Sequence, residues 1–201
     1  MLDEVQKTLN SSKLNLSPFP HIVIRNLLPK KKLIELNNVL PDFSDVSSKN
    51  VLFQSTSETK KTIMPDSVEF KKLLKKKIFN DVNNVFKKIK PMVLKKFKKE
   101  INKYVNSKFK NSKIKYNMNF ALMRKGYLKS AHLDRRDHLI SAIYYPSSKK
   151  NKGGDLQLCS LKKKQKTFDI FPSKKNLKVS KNFKINQNFC VVFLNVPWAY
   201  H

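Results

Sequence analysis

The sequence predicts an α+β protein, with helices gathered in the N-terminal half and short strands in the C-terminal half, the sheets pairing face to face or curling into a barrel. Three observations carry this expectation. Apolar residues recur at three- and four-residue steps between 66 and 105, as one face of a helix requires. At Ile114, Tyr116, Met118, Phe120 and Leu122 the period drops to two, with Lys113, Lys115, Asn117 and Asn119 between them, the mark of a half-buried strand. The most apolar run, Phe189-Cys190-Val191-Val192-Phe193-Leu194-Asn195-Val196, reads as a fully buried strand. A length of 201 residues, 40% hydrophobic, suffices for one domain with a sizeable core. Residues 1–17 are polar and read as a flexible N-terminal segment. Residues 18–201 form a single domain, helical over about 18–110 and β-rich over about 111–201.

In chain order, Pro18-Phe19-Pro20 punctuates the start, and His21-Ile22-Val23-Ile24-Arg25-Asn26 is a β-branched strand. Pro29 opens a helix carrying Leu33, Ile34, Leu36, Val39 and Leu40, which Pro41 stops. Residues 44–62 are Ser-, Thr- and Lys-rich loop with a short strand at Val51-Leu52-Phe53. Asp66 caps the next helix, Glu69 supports its first turn, and Phe70, Leu73, Leu74 and Ile78 continue it. Residues 80–109 form a long basic helical region, interrupted or bent at Pro91, whose Phe97, Ile101, Tyr104 and Val105 dock on a sheet while its lysines stay wet. After the alternating strand, Gly126 allows a tight turn, Leu139–Tyr145 forms a strand, and Gly153-Gly154 precede a strand at 155–159 as a structural bulge or close approach rather than a phosphate loop. Residues 161–188 are basic loop with strand-like patches at 168–170 and 183–185.

Charge and cysteines bound the function. The formal net charge is +29, from 43 basic and 14 acidic residues, yet only Arg25, Arg124, Arg135 and Arg136 are arginine. Lysine spread along the chain beside asparagine reads as compositional bias, and a groove selected for phosphate or bases would use arginine, so nucleic acid is not the favoured partner. Cys159 and Cys190 lack Cys-x-x-Cys spacing and are expected to be plain core residues. There is no signal-like apolar core and no apolar run of about eighteen residues, so a cytoplasmic protein without a membrane span is expected.

The chemistry concentrates in Gly126-Tyr127-Leu128-Lys129-Ser130-Ala131-His132-Leu133-Asp134. An imidazole and a carboxylate two positions apart share one face of an extended strand. His201, following the apolar strand, offers a third donor, and two histidines with one carboxylate form the facial set that leaves open positions on Fe(II). His21 and His138 are expected to be structural.

His132-Leu133-Asp134, the strand Leu139–Tyr145, Gly153-Gly154-Asp155-Leu156-Gln157-Leu158, Phe193-Leu194-Asn195, Trp198 and His201 together resemble the Fe(II)/2-oxoglutarate-dependent dioxygenases, in their prolyl 4-hydroxylase-like branch. The resemblance covers about residues 18–201. It implies a double-stranded β-helix, a jelly-roll (cupin-like) core with N-terminal helices packed on one sheet. It implies His132, Asp134 and His201 as iron ligands, Tyr145 as a hydrogen-bond partner of the co-substrate's distal carboxylate, and ascorbate as an auxiliary reductant. The implied reaction hydroxylates a C–H bond of a peptidyl proline, another peptide, a glycan or a small molecule, with succinate and carbon dioxide as co-products.

Two features depart from the family pattern. Leu122 and Met123 stand where relatives often place a further tyrosine, and the arginine or lysine that usually follows the second histidine by about nine residues lies beyond the last residue. The chain therefore reads as C-terminally truncated. The alternative expectation is a catalytically impaired or fragmentary relative that binds nucleic acid or an acidic polymer through its lysines. A nucleic-acid demethylase of the same superfamily ranks lower, for want of an arginine-rich tail.

Overall fold

The computed structural model describes the chain except residues 53–57, 106–112, 148–153, 164–166 and 185. It is mixed helix and antiparallel sheet, as the switch of period predicts. In order come α1 (Leu2–Ser11), β1 (Leu14–Asn15), β2 (His21–Arg25), α2 (Lys30–Asn37), β3 (Lys60–Ile63), α3 (Val68–Leu74), α4 (Lys77–Tyr104), β4 (Phe120–Met123), β5 (Ile140–Tyr145), β6 (Leu156–Leu161), β7 (Leu177–Phe183) and β8 (Phe189–Leu194).

β8 is buried at all six positions, and the sheet is built around it in the order β1-β2-β8-β5. Its register aligns three rows across one face: His21–Phe193–Ser141, Val23–Val191–Ile143 and Arg25–Phe189–Tyr145. Alternation sends the intervening residues to the other face, where the Tyr144 ring packs against Phe86 of α4 at 5.5 Å. The first face meets the β6–β7 pair through Phe183, whose ring lies 6.1 Å from His21 and 5.9 Å from Phe189. A central sheet is thus covered by a helix behind and by a two-stranded sheet in front. β3 and β4 pair separately.

α4 explains why the sheet has a back. Ile78, Phe79, Val82, Val85, Ile89 and Phe97 are buried at helical spacing, and the lysines between them are mostly exposed. The helix runs unbroken through Pro91, which sits on the exposed side, so the expected interruption there is corrected. At its end Tyr104 meets Trp198 edge to face at 5.0 Å, which ties the helix to the segment before His201.

Several local expectations are also corrected. The N-terminal residues are not loose: Leu2, Val5 and Leu9 share one side of α1, and Val5 and Leu9 are buried in the core that α1 shares with α4. Ser67, rather than Asp66, caps α3, its hydroxyl accepting from the Phe70 N–H at 3.1 Å. Ile78 belongs to α4. The alternating strand is paired only over Phe120–Met123. Residues before it contact α4 instead, the Tyr116 hydroxyl donating to Asn83 at 3.1 Å and the Lys90 ammonium to the Ile114 carbonyl at 3.0 Å. Residues 168–170 form no strand. Phe53, residues 106–109, Gly153 and Ile185, on which other expectations fell, lie outside the described residues.

Asn188 closes the turn into β8. It adopts φ 60°, a left-handed conformation that asparagine tolerates, and is buried. Its amide nitrogen donates to the Leu28 carbonyl at 2.7 Å, and its oxygen accepts from the Leu28 N–H at 2.8 Å and the Tyr144 hydroxyl at 2.9 Å. Asn188→Ala leaves the two buried Leu28 main-chain groups unpaired, at about 1–3 kcal/mol each. A total loss of about 2–5 kcal/mol is expected in urea unfolding. Asn188→Gly, which relieves the backbone but not the hydrogen bonds, should recover little of it.

Candidate metal centre

His132, Asp134 and His201 come together, each offering one donor atom, all within 4.8 Å of one another. The backbone arranges this. His132 and His201 exchange both main-chain hydrogen bonds, His132 N–H to His201 O at 3.0 Å and His201 N–H to His132 O at 3.2 Å, as a hydrogen-bonded antiparallel pair does. The rings consequently stand side by side, centroids 4.5 Å apart. Asp134, two residues on, returns to the same side. The neighbouring Tyr200 accepts from the Cys159 N–H at 2.8 Å on β6, and its hydroxyl donates to the Asp169 carbonyl at 3.0 Å, so His201 is held between two sheets.

Each donor is oriented by a partner on its far atom. His132 Nδ1 lies 3.2 Å from the Ser130 carbonyl and His201 Nδ1 3.1 Å from the Ala199 carbonyl. A carbonyl can only accept, so both Nδ1 atoms carry the proton and both Nε2 lone pairs are free. Those Nε2 atoms face one carboxylate oxygen, Asp134 Oδ1, at 3.9 and 3.6 Å. Asp134 Oδ2 accepts a short hydrogen bond from the Ser141 hydroxyl, which in turn accepts from the Asn195 amide at 3.0 Å. Asn195 is fixed by donating to the His138 carbonyl at 3.1 Å. Around an ion with bonds of about 2.1 Å, adjacent octahedral donors stand about 3 Å apart, so the three need close only by several tenths of an ångström to over 1 Å.

Burial is the main reason both imidazoles are held neutral. It depresses His132 to about 4, with the neighbouring His201 and Lys129 adding to the shift and Asp134 opposing it. His201 is lowered as well, again chiefly by burial, against the pull of Asp134. Neutral imidazoles and a carboxylate are the ligating forms.

The other residues singled out by sequence fall in different places. Tyr145 shares the site-facing side of β5 with Ser141, four residues along, or about 13 Å down the strand. Its ring stacks on Phe189 at 6.2 Å, and burial pushes its hydroxyl up to about 12. Arg25 crosses the same ring at 5.5 Å, so Tyr145 and Arg25 flank Phe189 in one row. His21 is buried, its Nδ1 2.8 Å from the Phe19 carbonyl, outside the donor cluster. His138 is exposed near Asp137. Cys159 and Cys190 are free and buried.

Sequence reasoning missed Ser141, Asn195 and Phe171. The Phe171 ring lies over His132 at 6.4 Å and 19° although the residue is 70% exposed. For Ser141 the signal was available: it sits four before Tyr145, on the same side. Comparison with protein families, curated proteins and solved structures gave no match to this chain.

Two outcomes test the centre. His132→Ala, Asp134→Asn or His201→Ala should each weaken Co(II) binding, read from its visible absorption, by at least about 100-fold, and Ser141→Ala by about 10–100-fold. A pH series of metal-free unfolding tests the electrostatics. Histidines lower in the folded state let the unfolded chain take protons first, so stability is complete above about 6.5 and falls as pH drops below it. His21, His132 and His201 all contribute to that fall, and a His132→Asn/His201→Asn double variant should show a shallower one.

Proposed function

We propose that this chain is an Fe(II)- and 2-oxoglutarate-dependent dioxygenase with a jelly-roll core, acting on a C–H bond in the manner of the prolyl 4-hydroxylase-like enzymes. The observation that carries the reading is the pair of free Nε2 atoms converging on Asp134 Oδ1, with every other donor atom of the three side chains tied back to protein. That set suits a divalent iron held on one face, with positions left for co-substrate and dioxygen. The facing of the four-stranded sheet and the β6–β7 pair across Phe183 supports the two-sheet core.

The iron, when bound, supplies the oxygen chemistry; the protein holds and orients. The net change is substrate C–H, dioxygen and 2-oxoglutarate to substrate C–OH, succinate and carbon dioxide. Ser141, itself held by Asn195, occupies Asp134 Oδ2 with a hydrogen bond, so that Asp134 would hold the metal through Oδ1. Phe193, 4.6 Å from the His201 ring, closes the sheet side against water.

The Tyr145–Phe189–Arg25 row supplies what a five-carbon dicarboxylate needs at its far end. A hydroxyl donor and a guanidinium flank an apolar floor, on the side of the sheet that carries the metal ligands. Arg25 thus offers a charge for the distal carboxylate. Among the described residues no helix is long and apolar enough to cross a membrane.

The test is succinate release on adding Fe(II) and 2-oxoglutarate, abolished by His132→Ala. Tyr145→Phe and Arg25→Gln should each raise the KM for 2-oxoglutarate about tenfold or more while Co(II) affinity stays within about twofold, because a lost hydrogen bond to a charged group weakens the co-substrate and not the metal. A protein that binds Fe(II) but releases no succinate with or without peptide would overturn the reading.

A further inference from the structure

Resting on the reading above, we propose that the metal centre takes as substrate an acidic polypeptide segment with an apolar residue beside the position that reacts. The argument begins with the arginines. In a chain whose basic residues are overwhelmingly lysine, three of the four arginines fall at 124, 135 and 136, flanking the ligand stretch. Arg25 and Arg124 lie over aromatic rings, at 5.5 Å from Phe189 and 5.0 Å from Phe43, and Arg135 holds Asp137 through two nitrogens at 3.1 and 2.9 Å. All three use the flat, forked guanidinium for what an ammonium does less well. Arg136, two residues past the ligand Asp134, is exposed and has no carboxylate within ion-pairing distance among the described residues.

Lys129 stands on the other flank. It is exposed, and its charge reaches both ligand imidazoles. The loop between these two cations carries one acid, Asp134, with Asp137 just beyond Arg136, and both are already engaged.

An apolar edge runs beside them. Phe171 is 70% exposed while stacked over His132, Ile170 is 50% exposed with its carbonyl accepting from the Leu133 N–H at 2.9 Å, and Leu128, four residues before His132 in the chain, is 82% exposed. Large apolar side chains gathered at the mouth of a polar centre mark a surface that something covers. Cations beside that edge, on a molecule of net charge +29, select an anionic occupant. Two of the three apolar residues are aliphatic, which suits peptide side chains; a single nucleic-acid strand calls for successive aromatic platforms on which its bases stack.

The experiment uses the full chain loaded with Ni(II) and three fluorescein-labelled peptides with the same Leu-Pro centre, flanked by Glu, Gln or Lys. Fluorescence anisotropy should show the Glu peptide binding about tenfold more tightly than the Gln peptide, with the Lys peptide weakest. Lys129→Glu/Arg136→Glu should abolish that preference, whereas Lys95→Glu/Lys98→Glu on the exposed side of α4 should keep it. Phe171→Ala should weaken the Glu and Gln peptides alike. The proposal is overturned if the two double variants lose the preference equally, if Glu and Gln peptides bind alike, or if an oligo-dT strand binds more tightly and displaces the peptide through Lys129 and Arg136. Co(II) titration separates the failures. Metal bound at His132, Asp134 and His201 without a Glu preference removes only this inference, and no metal at all removes the reading on which it rests.

Discussion

The centre depends on one reciprocal pair of backbone hydrogen bonds, between His132 and His201. Two remote segments must be brought into register before any side chain can act. A register slip of one residue would send His201 to the opposite side and dismantle the donor set. The structure prevents the slip by over-determining the last residues: Tyr200 is bonded to β6, Trp198 lies against Tyr104, and β8 is pinned between β2 and β5. The donors are therefore positioned by main-chain hydrogen bonds to the segment that follows β8, even though residues 126–134 contain no regular strand.

Pairing alone would not make the cluster a ligand set; electrostatics must also leave the lone pairs available. Two imidazoles beside a carboxylate would ordinarily attract protons, and a protonated histidine ligates nothing. Here desolvation, with Lys129 adding to it, outweighs the pull of Asp134 on both rings. The backbone carbonyls of Ser130 and Ala199 then fix which nitrogen bears the remaining proton. A strongly basic chain is thus no obstacle to a cation site: local burial keeps the histidines neutral, and the one carboxylate supplies the negative charge.

How much of this was legible in the sequence follows from the range of each interaction. The buried β8 strand and the His132/Asp134 pairing on one side are written in local periodicity, and the structure has both. Of the stripe expected on the long helix, Phe97 is buried, Ile101 and Tyr104 are half-buried and Val105 lies past its end, the main buried face running from Ile78 to Ile89. α1 was missed because Leu2, Val5 and Leu9 are spaced too sparsely among polar residues to stand out, although α4 buries two of them. The residues before β4 alternate as a strand does, but their partners are on α4, and period two reports alternation, not a neighbour. Likewise the Arg25–Phe189–Tyr145 row follows only from antiparallel register across three strands, which sequence patterning leaves open. Phe171 lies in loop, where no period exists to read.

The two sides of the central sheet differ in what they carry, packing behind and the cluster of donor side chains in front. Behind it, α4 meets Tyr144 and contributes Ile89 and Phe97 to the core, and its outward lysines can vary without touching a functional group. In front, Ser141, Phe193, Phe189 and Tyr145 line the face on which His132, Asp134 and His201 gather. There the Asp134 carboxylate, the Ser141 hydroxyl and the Asn195 amide nitrogen are paired in a chain, while Asn195 Oδ1 is buried without a partner among the described residues. Tyr104 against Trp198 is where the two sides communicate, because the helix end braces the segment that delivers His201. Aromatic contact of this kind is worth about 0.5–1.5 kcal/mol beyond burial. That is small against the stability of a domain, yet it acts on the last few residues before His201, where displacement by an ångström would part the three donor atoms.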